Sequence, residues 1–254
     1  MMNGLSGITI KSDKEISYMR EAGSIISQIM DVLENSIQPG ITTKELDNIC
    51  RKEIKSHKVK SGFLGLYGFP ATICVSVNEE IVHGIPGSRK LKNGDIVSID
   101  AGVIVGGFNS DHAKTFPVGD CSNEDLDLIS DTSKSLNLAI NQCFSNNAVG
   151  DIGYAVENYI VPKKYGLVRN YTGHGIGKAL HEPPQVPNFG IAGVGVKLSP
   201  GMTIAIEPMV NLGSDKTKLC DDGWTVVTSD GAKSAHFENT VLITDDKPEI
   251  LTVN

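Results

Sequence analysis

The sequence lacks a long apolar run, a CxxC cysteine pair and an excess of positive charge, and each absence excludes a class of protein. No stretch of its 254 residues approaches a membrane-spanning length, and the N-terminus has no apolar core of a secretion signal. The net charge of −7 argues against non-specific nucleic-acid binding, which needs a basic surface. Its five scattered cysteines are typical of reduced thiols. We therefore expect a cytoplasmic protein without a membrane or nucleic-acid partner.

The order of the predicted elements indicates one domain over residues 1–254, with a short N-terminal tail at 1–11. Capping boxes at 12–15 and 42–45 begin two amphipathic helices, and a second pair is predicted over about 122–144 and 151–162. Strands are predicted at 72–77, 202–206, 224–228 and 234–244. This order predicts an α+β fold of two similar halves, and a hairpin at 98–116 argues against an all-parallel sheet.

That hairpin carries Asp100 on its first predicted strand and Asp111 on its second. A two-residue loop at Val105 and Gly106 pairs the aspartates directly, and a loop at Gly106 and Gly107 makes them diagonal neighbours on the same face. A three-residue loop places them on opposite faces. Two carboxylates side by side on a largely buried strand pair repel each other. The same-face registers therefore predict a bound cation.

Four polar residues downstream are candidate partners for such a cation. His174 lies between glycines in the sequence GHGIG at 173–177, and His181 begins the sequence HEPP. Glu207 ends an apolar strand and Glu238 interrupts another, where a carboxylate is costly to bury unless it is paired or bound to metal. Each has a plainer explanation, such as a solvated strand end, a loop histidine or, for Asp111, a turn cap. Their joint occurrence favours a metal site.

These residues and their contexts resemble the methionine aminopeptidases, which belong to the pita-bread metallopeptidase family together with prolidase and aminopeptidase P. The matching motifs are PGITT at 39–43, NEEIVHGIP at 78–86, GHGIG at 173–177 and IEPMV at 206–210. The short step from Glu207 to Glu238 resembles the type I enzymes found in bacteria. The resemblance covers nearly the whole chain. It implies a pita-bread fold, in which two pairs of helices cover a curved, mainly antiparallel sheet with pseudo-two-fold halves.

The resemblance implies a site for two divalent metal ions. Asp100 binds one ion, His174 and Glu207 bind the other, and Asp111 and Glu238 bridge them. Four carboxylates against two divalent cations give local neutrality, and two ions about 3.5–4 Å apart is an arrangement that hydrolases use. One nitrogen among oxygens is a hard donor set, which favours cobalt, manganese or iron, with zinc as a further candidate.

The resemblance also implies three catalytic residues, His83, His181 and Glu207. Glu207 accepts a proton from a metal-bound water, His181 helps stabilise the developing oxyanion, and His83 hydrogen-bonds the scissile amide nitrogen. The free α-amino group of the substrate coordinates a metal, which explains selectivity for a chain's first residue. A plainer explanation of His83 is a turn histidine beside Gly84.

The same resemblance implies that His83 and His181 also bind the substrate, and it implies a pocket for the methionine side chain. Its apolar, aromatic and sulfur-bearing members suit a flexible thioether. They are Phe63, Leu66, Phe69, Cys74, Leu180 and Trp224. Trp224 is the only tryptophan, and a core role is an equal alternative for it. We expect His112 to point to the opposite face of its strand, and His57 and His236 to be structural.

The predicted function is removal of the N-terminal methionine from nascent polypeptides whose second residue is small. The resemblance implies a monomer that meets these chains in transient contact with the ribosome. An X-Pro aminopeptidase or dipeptidase is one alternative, although those relatives carry a large N-terminal domain and only about 40 residues precede Pro39. A non-catalytic module that binds a protein partner is another, although such relatives lose metal ligands. A broad-specificity aminopeptidase is the third.

Overall fold

In the computed structural model, which describes residues 7–253, four helices accompany an antiparallel sheet. Two of them begin at the predicted capping boxes, because Glu15 and Glu45 accept hydrogen bonds from the backbone N–H groups of Ser12 and Thr42. Among the described residues, no helix is long and apolar enough to cross a membrane. The helices are α1 Asp13–Ser36, α2 Thr43–Ser56, α3 Asn123–Ile140 and α4 Val149–Ile160, with 3₁₀ turns at Leu66–Gly68 and Val161–Lys163.

Fifteen strands lie within residues 7–253, and the pairs between them are antiparallel. They are β1 Lys60–Ser61, β2 Ile73–Val77, β3 Glu80–Val82, β4 Ile96–Val105, β5 Phe108–Pro117, β6 Gly166–Leu167, β7 Gly173–Gly175, β8 Glu182–Val186, β9 Thr203–Ile206, β10 Met209–Asn211, β11 Thr217–Leu219, β12 Val226–Thr228, β13 Ser234–His236, β14 Glu238–Leu242 and β15 Glu249–Ile250. The large sheet has the order β1-β4-β5-β14-β9-β7-β8, with β2 on β4 and β15 on β14. Two three-stranded sheets, β13-β10-β6 and β11-β12-β3, complete the fold.

The hairpin of β4 and β5 has the two-residue loop at Gly106 and Gly107. Both glycines have positive φ, 58° and 85°, which is the backbone that a tight hairpin turn requires. In the resulting register, Asp100 pairs with Ala113 and Gly102 pairs with Asp111. The two aspartates are therefore diagonal neighbours on one face. The same-face prediction is confirmed, in its diagonal form.

Each pair of helices covers its own hydrophobic core, as the prediction of two halves requires. Because side chains alternate along each strand, one face of the sheet packs into these cores and the other face points away from them. On β2, Ile73, Val75 and Val77 pack into the core with α1 and α2, whereas Cys74 between them faces away. The second core joins α3 and α4 to residues of β9 and β14, including Ile204.

Several predicted boundaries differ from the structure. The third helix ends at Ile140 rather than near 144, and the fourth begins at Val149 rather than 151. The predicted strand at 234–244 is two strands, β13 and β14, which Phe237 separates and which belong to different sheets. An apolar run predicts extended backbone along its whole length. It gives no sign that the chain passes from one sheet to another at Phe237.

A buried carboxylate joins α2 to the start of β2. Asp47 accepts hydrogen bonds from the Thr72 backbone N–H at 2.8 Å and from the Thr72 hydroxyl at 2.6 Å. Lys44 and Arg51 pair with its other oxygen at 2.8 and 2.9 Å, and its side chain is 0% exposed. Burial alone raises the pKa of Asp47, but these hydrogen bonds outweigh burial and lower the pKa to about 2.

We expect Asp47→Asn to destabilise the protein by about 2 kcal/mol at pH 7, because one pKa unit corresponds to about 1.4 kcal/mol. The folded pKa lies below the ordinary value of 3.8, so this stabilisation is present above that value and is lost as the pH falls towards about 2. Urea unfolding of both proteins should give a smaller difference in free energy at pH 3 than at pH 7. Equal differences at the two pH values would contradict this role.

Candidate metal centre and active site

The register of the large sheet places five predicted ligands on one face. Asp100 and Glu238 both pair with Ala113 of β5, so they lie in one row across β4, β5 and β14. Residues paired directly across strands share a face, as do residues two apart along a strand. Asp111 therefore lies on this face as well. The small side chain of Ala113 leaves room between the carboxylates.

The row continues through β14, β9 and β7 to His174. Thr240, two residues after Glu238, pairs with Ala205, which pairs in turn with His174. Glu207 lies two residues beyond Ala205, just past the end of β9. His174 thus stands in a short strand rather than in the glycine loop that the sequence suggested. Glu238 is the first residue of β14 and not an interior one.

The side chains lie close enough together to share a cation. The Nε2 atom of His174 lies 3.8 Å from Asp111 Oδ2 and 3.7 Å from Glu207 Oε1. One donor atom each from Asp111, His174 and Glu238 lie within 4.8 Å of one another. His174 Nδ1 lies 2.9 Å from the Gly175 carbonyl, to which it donates when that nitrogen carries the proton. Nε2 then has its lone pair free, as a metal ligand requires.

The electrostatics of the site call for positive charge. Burial and then like charges raise the pKa values of Asp111, Glu207 and Glu238, and burial raises that of Asp100. Among the described residues, Asp100 Oδ1, Asp111 Oδ1 and Glu238 Oε1 are buried without a hydrogen-bond partner. Burial and the neighbouring His181 lower the pKa of His174 to about 4, so its imidazole is neutral at pH 7. The donor set and its orphaned oxygens fit divalent metal.

A cavity of about 530 Å³ opens onto the cluster, and all five predicted ligands line it. The residues assigned to the methionine pocket line the same cavity. They are Phe63, Leu66, Phe69, Cys74, Leu180 and Trp224. The rings of Phe69 and Trp224 meet edge to face at 5.1 Å between centroids. Trp224 therefore contributes to the cavity wall as well as to packing.

Two further histidines line this cavity. The ring of His181 meets that of His174 edge to face at 4.5 Å, and Tyr67 stacks nearly parallel to it at 6.0 Å. Burial lowers the pKa of His181, which favours a neutral ring. His83 has a φ of 61°, a strained value for a residue with a side chain. Its ring meets Tyr171 edge to face at 6.0 Å.

Some residues near the centre were not predicted from the sequence. Tyr67 and Tyr171 line the cavity. His236, which was expected to be structural, lies with Nε2 3.8 Å from Glu207 Oε2 and is 2% exposed. No local pattern identifies it, because Phe237 separates β13 from β14 and the two strands belong to different sheets. His112 lies on the helix-covered side, as expected, where it lines a second cavity. His57 ends α2 as its C-cap residue.

Comparisons with known proteins agree with the motifs. Residues 17–245 match the model of metallopeptidase family M24. The chain is 50% identical to a methionine aminopeptidase of Clostridium perfringens, over 97% of this chain and 99% of that one. It is 47% identical to methionine aminopeptidase 1 of Bacillus subtilis, over 96% and 99%. The sequence resemblance is thereby confirmed.

Solved structures agree with the fold. A methionine aminopeptidase from Thermotoga maritima superposes with a TM-score of 0.95 at 40% identity, over 97% of this chain and 100% of that one. An Xaa-Pro dipeptidase from Bacillus anthracis superposes with a TM-score of 0.77 over 96% and 62%, and at 22% identity this likeness shows the fold alone. The predicted α+β pita-bread fold is confirmed.

We expect Asp111→Asn to stabilise the metal-free protein, because it removes one of several buried carboxylates that repel one another. Thermal unfolding in EDTA should give a higher midpoint for the variant. Added Mn²⁺ should raise the midpoint of the natural protein and leave that of the variant nearly unchanged.

Asp125→Asn provides the control, because Asp125 is buried but is already paired with Lys233 at 2.9 Å. That change should lower the midpoint with or without Mn²⁺. If Asp111→Asn behaves in the same way as Asp125→Asn, the repulsion described here is not present.

Proposed function

Because the chain belongs to metallopeptidase family M24 and its relatives over nearly the full length are methionine aminopeptidases, we propose that it removes the N-terminal methionine from polypeptides whose second residue is small. One observation carries this proposal: a single cavity contains both the carboxylate and imidazole cluster and an apolar, aromatic wall. The cluster suits hydrolysis of a peptide bond, and the wall suits a flexible thioether side chain.

The proposed cofactor is a pair of divalent ions, of cobalt, manganese, iron or zinc. Asp100 would hold one ion, His174 and Glu207 the other, and Asp111 and Glu238 would be shared. The hard donor set and the orphaned carboxylate oxygens support this assignment. When bound, such ions lower the pKa of water and polarise the carbonyl group of the first peptide bond.

Three side chains are proposed to act on the substrate. Glu207 accepts the proton of the attacking water, as a carboxylate beside the reacting group can do. His181, as a neutral imidazole, donates an N–H to the carbonyl oxygen while negative charge develops there. His83 hydrogen-bonds the scissile amide nitrogen, and its strained backbone supports a fixed ring direction.

The methionine side chain is proposed to lie against the apolar wall, with Phe69 and Trp224 as its aromatic members. The source of substrates is proposed to be nascent chains in the cytoplasm, where the five free cysteines stay reduced. A monomer in transient contact with the ribosome would meet them. An X-Pro peptidase is less well supported, because the likeness to such enzymes is one of fold at 22% identity.

The purified protein should release methionine from the peptide Met-Ala-Ser once Mn²⁺ or Co²⁺ is added, and EDTA should abolish the release. Chromatography of the free amino acid measures this, and Ala-Pro peptides serve as the comparison. Turnover of Ala-Pro substrates without turnover of Met-Ala-Ser under any divalent ion would reject the proposal in favour of an X-Pro peptidase.

Trp224→Ala should lower kcat/KM for Met-Ala-Ser by about 10–100-fold, mainly through a higher KM, because it removes binding that substrate and transition state share. The ratio of activity on Met-Ala-Ser to that on Leu-Ala-Ser should change. Phe189→Ala, which truncates a partly buried aromatic outside the cavity, is the control and should leave that ratio unchanged. If Trp224 serves only the core, Trp224→Ala will lower the stability of the protein and leave the ratio of the two activities unchanged.

A further inference from the structure

The N-terminal arm, residues 7–11, contacts the protein through a buried ion pair. Lys11 Nζ lies 2.9 Å from Glu182 Oε2, and the two side chains are 4% and 11% exposed. Thr9 completes the contact, because its hydroxyl donates to the same Glu182 oxygen at 2.9 Å and accepts from Lys11. The Lys11 backbone N–H donates to the Gly201 carbonyl at 2.9 Å. The sequence placed these residues in a tail, whereas the described part of that tail is attached beside the active site; residues 1–6 lie outside the described residues.

A buried lysine is an expensive anchor for a chain segment. Removal of an ammonium group from water costs several kcal/mol, and replacement of a buried ion pair by apolar residues is often neutral or stabilising. Attachment of the arm alone would therefore be served as well by an apolar side chain. The charge of Lys11 is better explained by the carboxylate that it holds.

Glu182 closes the loop at residues 176–181, which lies between β7 and β8. Its Oε1 atom accepts a hydrogen bond from the Ala179 backbone N–H at 3.1 Å, within that loop. The Lys11 side chain also passes against Gly177, where a Cβ atom would come within 2.7 Å of Lys11 Cε. The arm therefore contacts the loop at Gly177 and contacts Glu182, the residue that follows the loop. On the other side of the loop, the side-chain amide of Asn109 donates hydrogen bonds to the carbonyl groups of Gly177 and Lys178.

This loop carries His181, one of the two histidines proposed to act on the substrate. His181 immediately precedes Glu182, and its ring stands edge to face on His174 at 4.5 Å. The direction of a side chain follows its backbone, and a displacement of about 1 Å in a catalytic group can cost about 100-fold in rate. A carboxylate held by both Lys11 and the Ala179 N–H fixes the backbone on the C-terminal side of His181.

We propose that Lys11 is a positioning residue, which acts through Glu182 to hold His181 in place for the peptide carbonyl. The inference rests on the proposed function, since it assigns to His181 the stabilisation of the oxyanion. It adds that the N-terminal arm contributes to the active site by positioning His181.

Lys11→Met keeps the length of the side chain and removes its charge. We expect kcat for Met-Ala-Ser to fall about 10–100-fold with KM changed less than about threefold, because an oxyanion donor acts in the transition state. Lys11→Arg should restore most of kcat. Arg20→Met, which removes the exposed pair with Glu249, is the control and should leave kcat unchanged.

A double-mutant cycle separates positioning from stability. In a His181→Ala background, Lys11→Met should lower kcat by less than twofold further, because the group that it positions is already absent. Lys11→Met/Glu182→Gln leaves no unpaired buried charge and keeps an acceptor for the Ala179 N–H. It should show the same loss of kcat as Lys11→Met in a protein that stays folded.

Hydrogen exchange gives a readout that does not depend on activity. Amides at 176–181 should exchange faster in Lys11→Met than in Arg20→Met, with α3 and α4 unchanged. Equal exchange in the two variants, or losses in kcat that multiply fully with that of His181→Ala, would overturn the inference. Absence of methionine release by the natural protein would instead reject the proposed function, and the exchange result would still decide whether the arm holds the loop.

Discussion

Repulsion between buried carboxylates is the constraint on which the rest of this structure depends. Asp100, Asp111, Glu207 and Glu238 lie on one face of a sheet, and three of their oxygens have no hydrogen-bond partner among the described residues. Such an arrangement costs free energy in the absence of cations. Two hydrophobic cores on the opposite face supply the compensating burial. The site is therefore held against its own charge by packing on the other side of the strands.

Strand register converts that constraint into geometry. Because side chains alternate, a slip of one residue in either strand of the hairpin would send an aspartate into the helix-covered core. The glycine turn fixes the register, since both of its residues have the positive φ that a two-residue loop needs. Alternation also separates Cys74, on the cavity side, from Ile73 and Val75, on the core side. The alternation of side chains thus places the predicted ligands on one face of the sheet and the core residues on the other.

Features governed by local rules could be predicted from the sequence, and those that depend on distant contacts could not. The capping boxes at Ser12 and Thr42 follow from neighbours a few residues away, and the glycines at 106 and 107 indicate the hairpin. The sequence leaves the register of the two aspartates open between three loops, and the structure has the diagonal form. Lys11 and Glu182 are 171 residues apart, so no local pattern links them. His236 is similar, because β13 and β14 join different sheets at Phe237 and the alternation of one strand does not apply across that break.

Under the proposed function, the loop at 176–181 would couple substrate selection to catalysis. Leu180 belongs to the apolar wall of the cavity, and the ring of its neighbour His181 meets that of His174, a predicted metal ligand. A substrate side chain that shifts the Leu180 backbone would shift His181 as well, because adjacent residues share one planar peptide unit. An ill-fitting first residue would then be penalised in the transition state as well as in binding, which is the form of discrimination that affects rate. The same argument supports the role proposed for Lys11, since a loop free to adjust would accept the wrong side chain without loss of catalysis.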